Sequence, residues 1–151
     1  MTSRHGTETR NYELELADAC AECYADPLGF VLMAYDWPIN GMEGPDQNQT
    51  AILEEIGAAV ADRGFDGVTS VAPIRKAISS GNSCGKTALF AWLVDFLMST
   101  RRNTRGTVTA NTADQLQKKT WAAVMEWTKR CRTGHWFEIN SSIMYYKGRR
   151  E

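Results

Sequence analysis

The stretch Ser80-Gly81-Asn82-Ser83-Cys84-Gly85-Lys86-Thr87 decides how this chain reads. A phosphate-binding loop has the form G-x-x-x-x-G-K-[ST], follows a strand and opens a helix. Here the Gly-Lys-Thr end is complete. The first glycine stands one place late, because Ser80 sits where the pattern wants Gly. The chemistry tolerates that shift: glycines let the backbone curl so that successive N–H groups point at phosphate oxygens, and a helix N-terminus adds the positive end of its dipole. On this reading Gly81, Asn82, Ser83, Cys84 and Gly85 supply the backbone of the cradle. Lys86 reaches the β- and γ-phosphates of ATP, and the Thr87 hydroxyl binds the accompanying Mg²⁺. The plainer alternative is a glycine-containing turn followed by an incidental lysine.

The flanks suit the motif. Residues 74–80 read as a short strand, and 86–99 read as a helix that is apolar nearly all round. Such a helix belongs inside a core; only Asp95 interrupts its apolar run. Residues 106–110, with β-branched Thr107, Val108 and Thr109, read as a second strand. Asn111 or Thr112 can cap a helix running to about Cys131, and 136–139 and 143–146 look like further strands. Strand and helix in alternation predict a parallel sheet.

Upstream, residues 11–24 have Leu14, Ala17, Ala21 and Tyr24 at helical spacing. Asp26-Pro27 starts a second helix, with Asp as N-cap and Pro in the first turn. Asp46 opens a third, whose buried face is Ile52, Leu53, Ile56 and Val60. Gln49, in its first turn, has two readings. Its amide carries both a donor and an acceptor and could pair with an adenine edge, or Asp46-x-x-Gln49 is a capping box. The expected class is therefore α/β. A helical lead-in (1–66) precedes an incomplete P-loop NTPase parallel sheet with flanking helices (67–151), in one continuous domain fragment.

Composition bounds the partners. The chain has 151 residues, one domain or part of a larger one, and its 43% apolar and 23% charged residues exclude disorder and collagen-like repeats. The net charge of −1 hides a split: residues 1–66 hold 3 basic and 13 acidic side chains, and 67–151 hold 14 basic and 5 acidic. Such asymmetry points to a polyanion partner for the basic half, or to attraction between the halves. Arg101, Arg102, Arg105, Lys118 and Lys119, followed by Lys129, Arg130 and Arg132, could track the phosphates of double-stranded DNA, with Trp121, Trp127 and Trp136 among them. Charge runs are also ordinary solvated faces, and tryptophans at helical spacing are ordinary core. No apolar run is long enough to span a membrane and the N-terminus lacks a signal-peptide pattern, so no membrane partner and a cytoplasmic location are expected. Cys20-Ala-Glu-Cys23 matches C-x-x-C without a second pair to complete a zinc site, and its helical setting suggests packing.

The ordered motifs resemble the large terminase subunits of tailed phages and prophages. The resemblance is carried by Asp26-Pro27-Leu28-Gly29-Phe30, Gly44-Pro45-Asp46 leading to Gln49, the loop from Ser80 to Thr87, Asn103-Thr104-Arg105-Gly106, Thr109-Ala110-Asn111-Thr112, Gln115-Leu116 and Lys119-Thr120-Trp121. It covers about residues 18–137, and in that family a late first glycine is common. It implies the ATP-binding part of a DNA-packaging motor in the cytoplasm of a bacterial host, with the small terminase subunit and the portal as partners. Gly81, Gly85, Lys86 and Thr87 would then hold the phosphates, and Gln49 would read adenine. The chain departs from the family in lacking two parts. After Lys86 the only carboxylates are Asp95, Asp114, Glu126, Glu138 and Glu151, none closing an apolar strand as a Walker B acid does, and the nuclease's acidic cluster is missing. The expectation is a truncated, ATP-binding piece without hydrolysis of its own. The alternatives are another P-loop NTPase module, or a non-enzymatic prophage remnant that binds DNA or protein.

Overall fold

Helices begin where the sequence places their caps. The computed structural model describes residues 3–79 and 85–149. It opens with α1 (Ser3–Glu22). In α2 (Pro27–Ala34), Pro stands in the first turn and Asp26 Oδ1 accepts from Gly29 N at 2.8 Å. In α3 (Gln47–Asp62) the capping box is complete: Asp46 Oδ1 accepts from Gln49 N and Gln49 Oε1 accepts from Asp46 N, both at 2.8 Å. Next come α4 (Lys86–Thr100) and α5 (Ala113–Gln115), the latter capped by Thr112. A π-helical stretch, Leu116–Trp121, joins α5 to α6 (Ala122–Arg130).

The expected parallel sheet is not formed. The described strands are β1 (Phe137–Ile139) and β2 (Met144–Tyr146), paired antiparallel as a hairpin. Residues 74–79 and 106–110 are irregular, so the α/β assignment is corrected to a helical fold with one hairpin. The physical reason is that β propensity cannot replace a partner. A strand is held by a ladder of cross-strand bonds, and neither segment has a strand beside it among the described residues. The 136–139 and 143–146 segments do pair, because a short turn brings them together. There Asn140 Oδ1 accepts from Ser142 N and Ile143 N at 3.0 and 3.1 Å.

Apolar α4 lies at the centre, against α1, α2 and α6. The core joins Leu16 and Cys20 of α1, Phe30, Val31 and Ala34 of α2, Tyr35, Leu53 of α3, Leu89, Trp92 and Phe96 of α4, and Val124 and Trp127 of α6. Fully burying each large side chain contributes about 1.5–3 kcal/mol. α1 covers most of the helix expected at 11–24 but begins earlier and ends at Glu22. Leu14, Ala17 and Ala21 face outward, and Leu16 and Cys20 make the buried face. Cys20 thus packs in the core, where burial pushes its thiol up to about 12. The core unites residues from both sides of position 66. Charge does the same: Glu55 pairs with Lys76, Asp36 with Arg132 at 2.7 Å, and Glu13 bonds His135 Nε2 at 2.7 Å. The opposed charges are therefore partly spent on each other.

Candidate functional site: the turn that opens α4

Of the proposed phosphate cradle, Gly81, Asn82, Ser83 and Cys84 lie outside the described residues. Gly85, Lys86 and Thr87 lie within them and form the start of α4. Gly85 is the N-cap, in the left-handed conformation with φ 68° and ψ 9°, a region that favours glycine. A Cβ at this position would also overlap Gln49 Nε2. Among the described residues no side chain caps this helix end, whereas Asp26, Asp46 and Thr112 cap α2, α3 and α5. Lys86 is half-buried and Thr87 exposed.

Gln49 is brought to this turn from 36 residues upstream. It is 3% exposed, and its Nε2 donates to the Gly85 carbonyl at 3.1 Å while its Oε1 serves the capping box. The two readings of Gln49 are thus joined by a third role, a bond to the backbone of the loop's last residue. Both ends of its amide are engaged within the protein.

The basic residues divide. Arg101 is half-buried and packs on the protein: its guanidinium lies 4.6 Å from the Phe96 ring centroid and 4.9 Å from that of Phe65, and Nη2 donates to Tyr24 O at 3.0 Å. Burial lowers its pKa. Arg102, Arg105, Lys118 and Lys119 are exposed, with Lys118 paired to Asp114 one turn away. Trp121 and Trp127 are core, and half-buried Trp136 donates from Nε1 to Glu13 at 2.8 Å. The tryptophans therefore serve packing.

Sequence reasoning missed a polar cluster inside the core. Asp95, 1% exposed, accepts from Tyr35 Oη and from Thr128 Oγ1, both at 2.7 Å. Burial pushes its carboxyl up to about 7, with the two hydrogen bonds pulling the other way. Tyr35 is held well above its ordinary value, chiefly by burial. The available signal was one carboxylate in an otherwise apolar helix, since a buried acid needs partners. Around it Tyr35, Trp37, Trp92 and Trp127 meet edge to face or tilted, with the Trp92 and Trp127 centroids 5.2 Å apart.

An apolar groove of about 370 Å³ lies between α3, α4 and the irregular residues 71–76, lined by Ile56, Val60, Val71, Ile74, Leu93 and Leu97 among others. It sits along the C-terminal half of α4, away from Lys86, so it is separate from the turn at Gly85. Among the described residues no group of three or more His, Cys, Asp or Glu could hold a metal ion, and no helix is long and apolar enough to cross a membrane. The chain matches no protein-family model, no curated protein and no solved structure. The likeness to large terminase subunits therefore rests on the chain's own motifs.

Proposed function

We propose that the chain binds the triphosphate of ATP, with Mg²⁺, at the turn that opens α4, as an ATP-binding part of a DNA-packaging motor of the terminase type. One observation carries this reading: a left-handed Gly85 immediately precedes Lys86 and Thr87 at a helix end that, among the described residues, no side chain caps. The first amides of a helix have no intrahelical acceptor and carry its positive partial charge, which suits an anion. Lys86 would add a full charge beside it. Mg²⁺ would arrive on the phosphates with the exposed Thr87 hydroxyl as its protein ligand, neutralising the charge of the triphosphate.

The proposal is for binding, not hydrolysis. Asp95 is committed to Tyr35 and Thr128, Asp114 to Lys118, and Glu126 to Arg130. Calorimetry with ATP and Mg²⁺ tests the reading. Wild type should bind, and Lys86→Ala should weaken binding at least tenfold by removing a charge-assisted contact of about 1.5–3 kcal/mol. No heat of binding with folded wild type would overturn it.

A second reading, non-enzymatic contact with DNA, is favoured by the exposure of Arg102, Arg105, Lys118 and Lys119. It expects affinity that falls steeply with salt and is indifferent to Lys86→Ala. Each phosphate-contacting residue removed should lower the salt slope by about one.

A further inference from the structure

We propose that Gln49 is a positioning residue for this turn, which makes the site sensitive to the triphosphate and indifferent to the base. The inference rests on the triphosphate reading given above. It begins from a peptide plane. The C=O of Gly85 and the N–H of Lys86 belong to one planar trans unit and point in opposite directions. The Gly85 carbonyl accepts from Leu89 N at 3.0 Å, as the first bond of α4, and from Gln49 Nε2 at 3.1 Å. Holding the carbonyl from behind therefore fixes where the Lys86 amide is aimed.

Gln49 is itself held. Its Oε1 accepts from Asp46 N and its own N–H donates to Asp46 Oδ1, so the start of α3 supports the start of α4. A glutamine reads adenine by presenting donor and acceptor together to one base edge. Here the acceptor is turned onto Asp46, the donor onto Gly85, and the side chain is almost wholly buried. Each end keeps one further site, but on a side chain only 3% exposed, so a base edge would have to displace Gln49 from its place to reach them. The geometry thus separates Gln49 from the base and ties it to the phosphates through the backbone.

Three ligands and two variants of the full chain test this by calorimetry. The ligands are ATP, GTP and inorganic triphosphate, each with Mg²⁺. Gln49→Met keeps the length of the side chain and loses the Gly85 bond. Asp46→Ala weakens the same capping box and leaves that bond in place. The proposal expects Gln49→Met to lose affinity for all three ligands by the same factor, up to about tenfold if binding must restore the order that the lost hydrogen bond supplied. Asp46→Ala should also lower the melting temperature, through the lost bond to Gln49 N, yet bind all three like wild type. Loss for ATP alone would make Gln49 an adenine reader and overturn the proposal. Equal affinities in Gln49→Met and wild type would reduce Gln49 to a helix cap and also overturn it. Wild type that binds none of the three would remove the triphosphate reading itself, and the inference with it.

Discussion

Replacing Asp95 by Asn should remove a pH dependence built into the core. The carboxyl titrates near 7 in the folded protein, raised by burial from an ordinary value of 3.8. Its folded form thus holds a proton that the unfolded chain has released, so stability falls as pH rises between the two values. At about 1.4 kcal/mol for each pH unit the full effect is roughly 4 kcal/mol, a large share of the ~5–15 kcal/mol that holds a domain together. The difference between wild type and variant from pH 5 to 7 isolates it, because every other group, His135 beside Glu13 among them, is common to both. Tyr35 and Cys131, the titratable groups beside Asp95, are pushed up by burial, Cys131 to about 12, and stay neutral there. Glu13, lowered chiefly by its bond from Trp136, and Asp66, lowered to about 2 by the Thr69 and Val68 amides, stay ionised. Across that window wild type should lose about 2 kcal/mol, because half of the Asp95 population is still protonated at pH 7. In Asp95→Asn the amide oxygen can accept from one hydroxyl and the NH₂ can donate to the other, so both partners remain satisfied. The assay is urea unfolding at pH 5, 6 and 7. With a slope of about 2 kcal/mol/M, the wild-type midpoint should fall by about 1 M and the variant midpoint should stay level. A wild-type midpoint that is flat or rises from pH 5 to 7 refutes the reasoning, as does a variant that keeps the wild-type fall.

Three further substitutions probe the packing. Gly85→Ala should destabilise by about 2 kcal/mol in a thermal melt, because alanine is strained at that positive φ and its Cβ displaces Gln49. Gly134→Ala should cost at least about 2 kcal/mol, since the new Cβ would overlap the Thr128 carbonyl oxygen, which is backbone and cannot step aside. Arg101→Leu should lose roughly 2 kcal/mol through the Phe65 and Phe96 rings and the Tyr24 carbonyl, with DNA affinity unchanged in a salt titration. Arg102→Ala should show the reverse, near-wild-type stability with any DNA affinity reduced.

What the sequence by itself determined was local. Asp26, Asp46 and Thr112 start their helices through bonds to an amide three residues away. Asn140 likewise turns the hairpin within three residues. Such bonds need no knowledge of the rest of the chain, so residue type and spacing suffice to find them. The tertiary structure decided everything that depends on a distant partner. Residues 74–79 and 106–110 have strand-like composition but no strand beside them, and so stay irregular. The buried face of α1 is not legible in the sequence because Leu14 and Leu16 are equally apolar, and only the position of α4 selects Leu16. Arg101 resembles its neighbour Arg102 in sequence, yet two aromatic rings and a carbonyl 77 residues away draw it inward. The same holds at the site. Gly-Lys-Thr marked a candidate turn, but the bond from Gln49 to Gly85 spans 36 residues and those to Asp95 from Thr128 and Tyr35 span 33 and 60. A side chain's chemical type is written in the sequence; which group it meets depends on how the helices pack around α4.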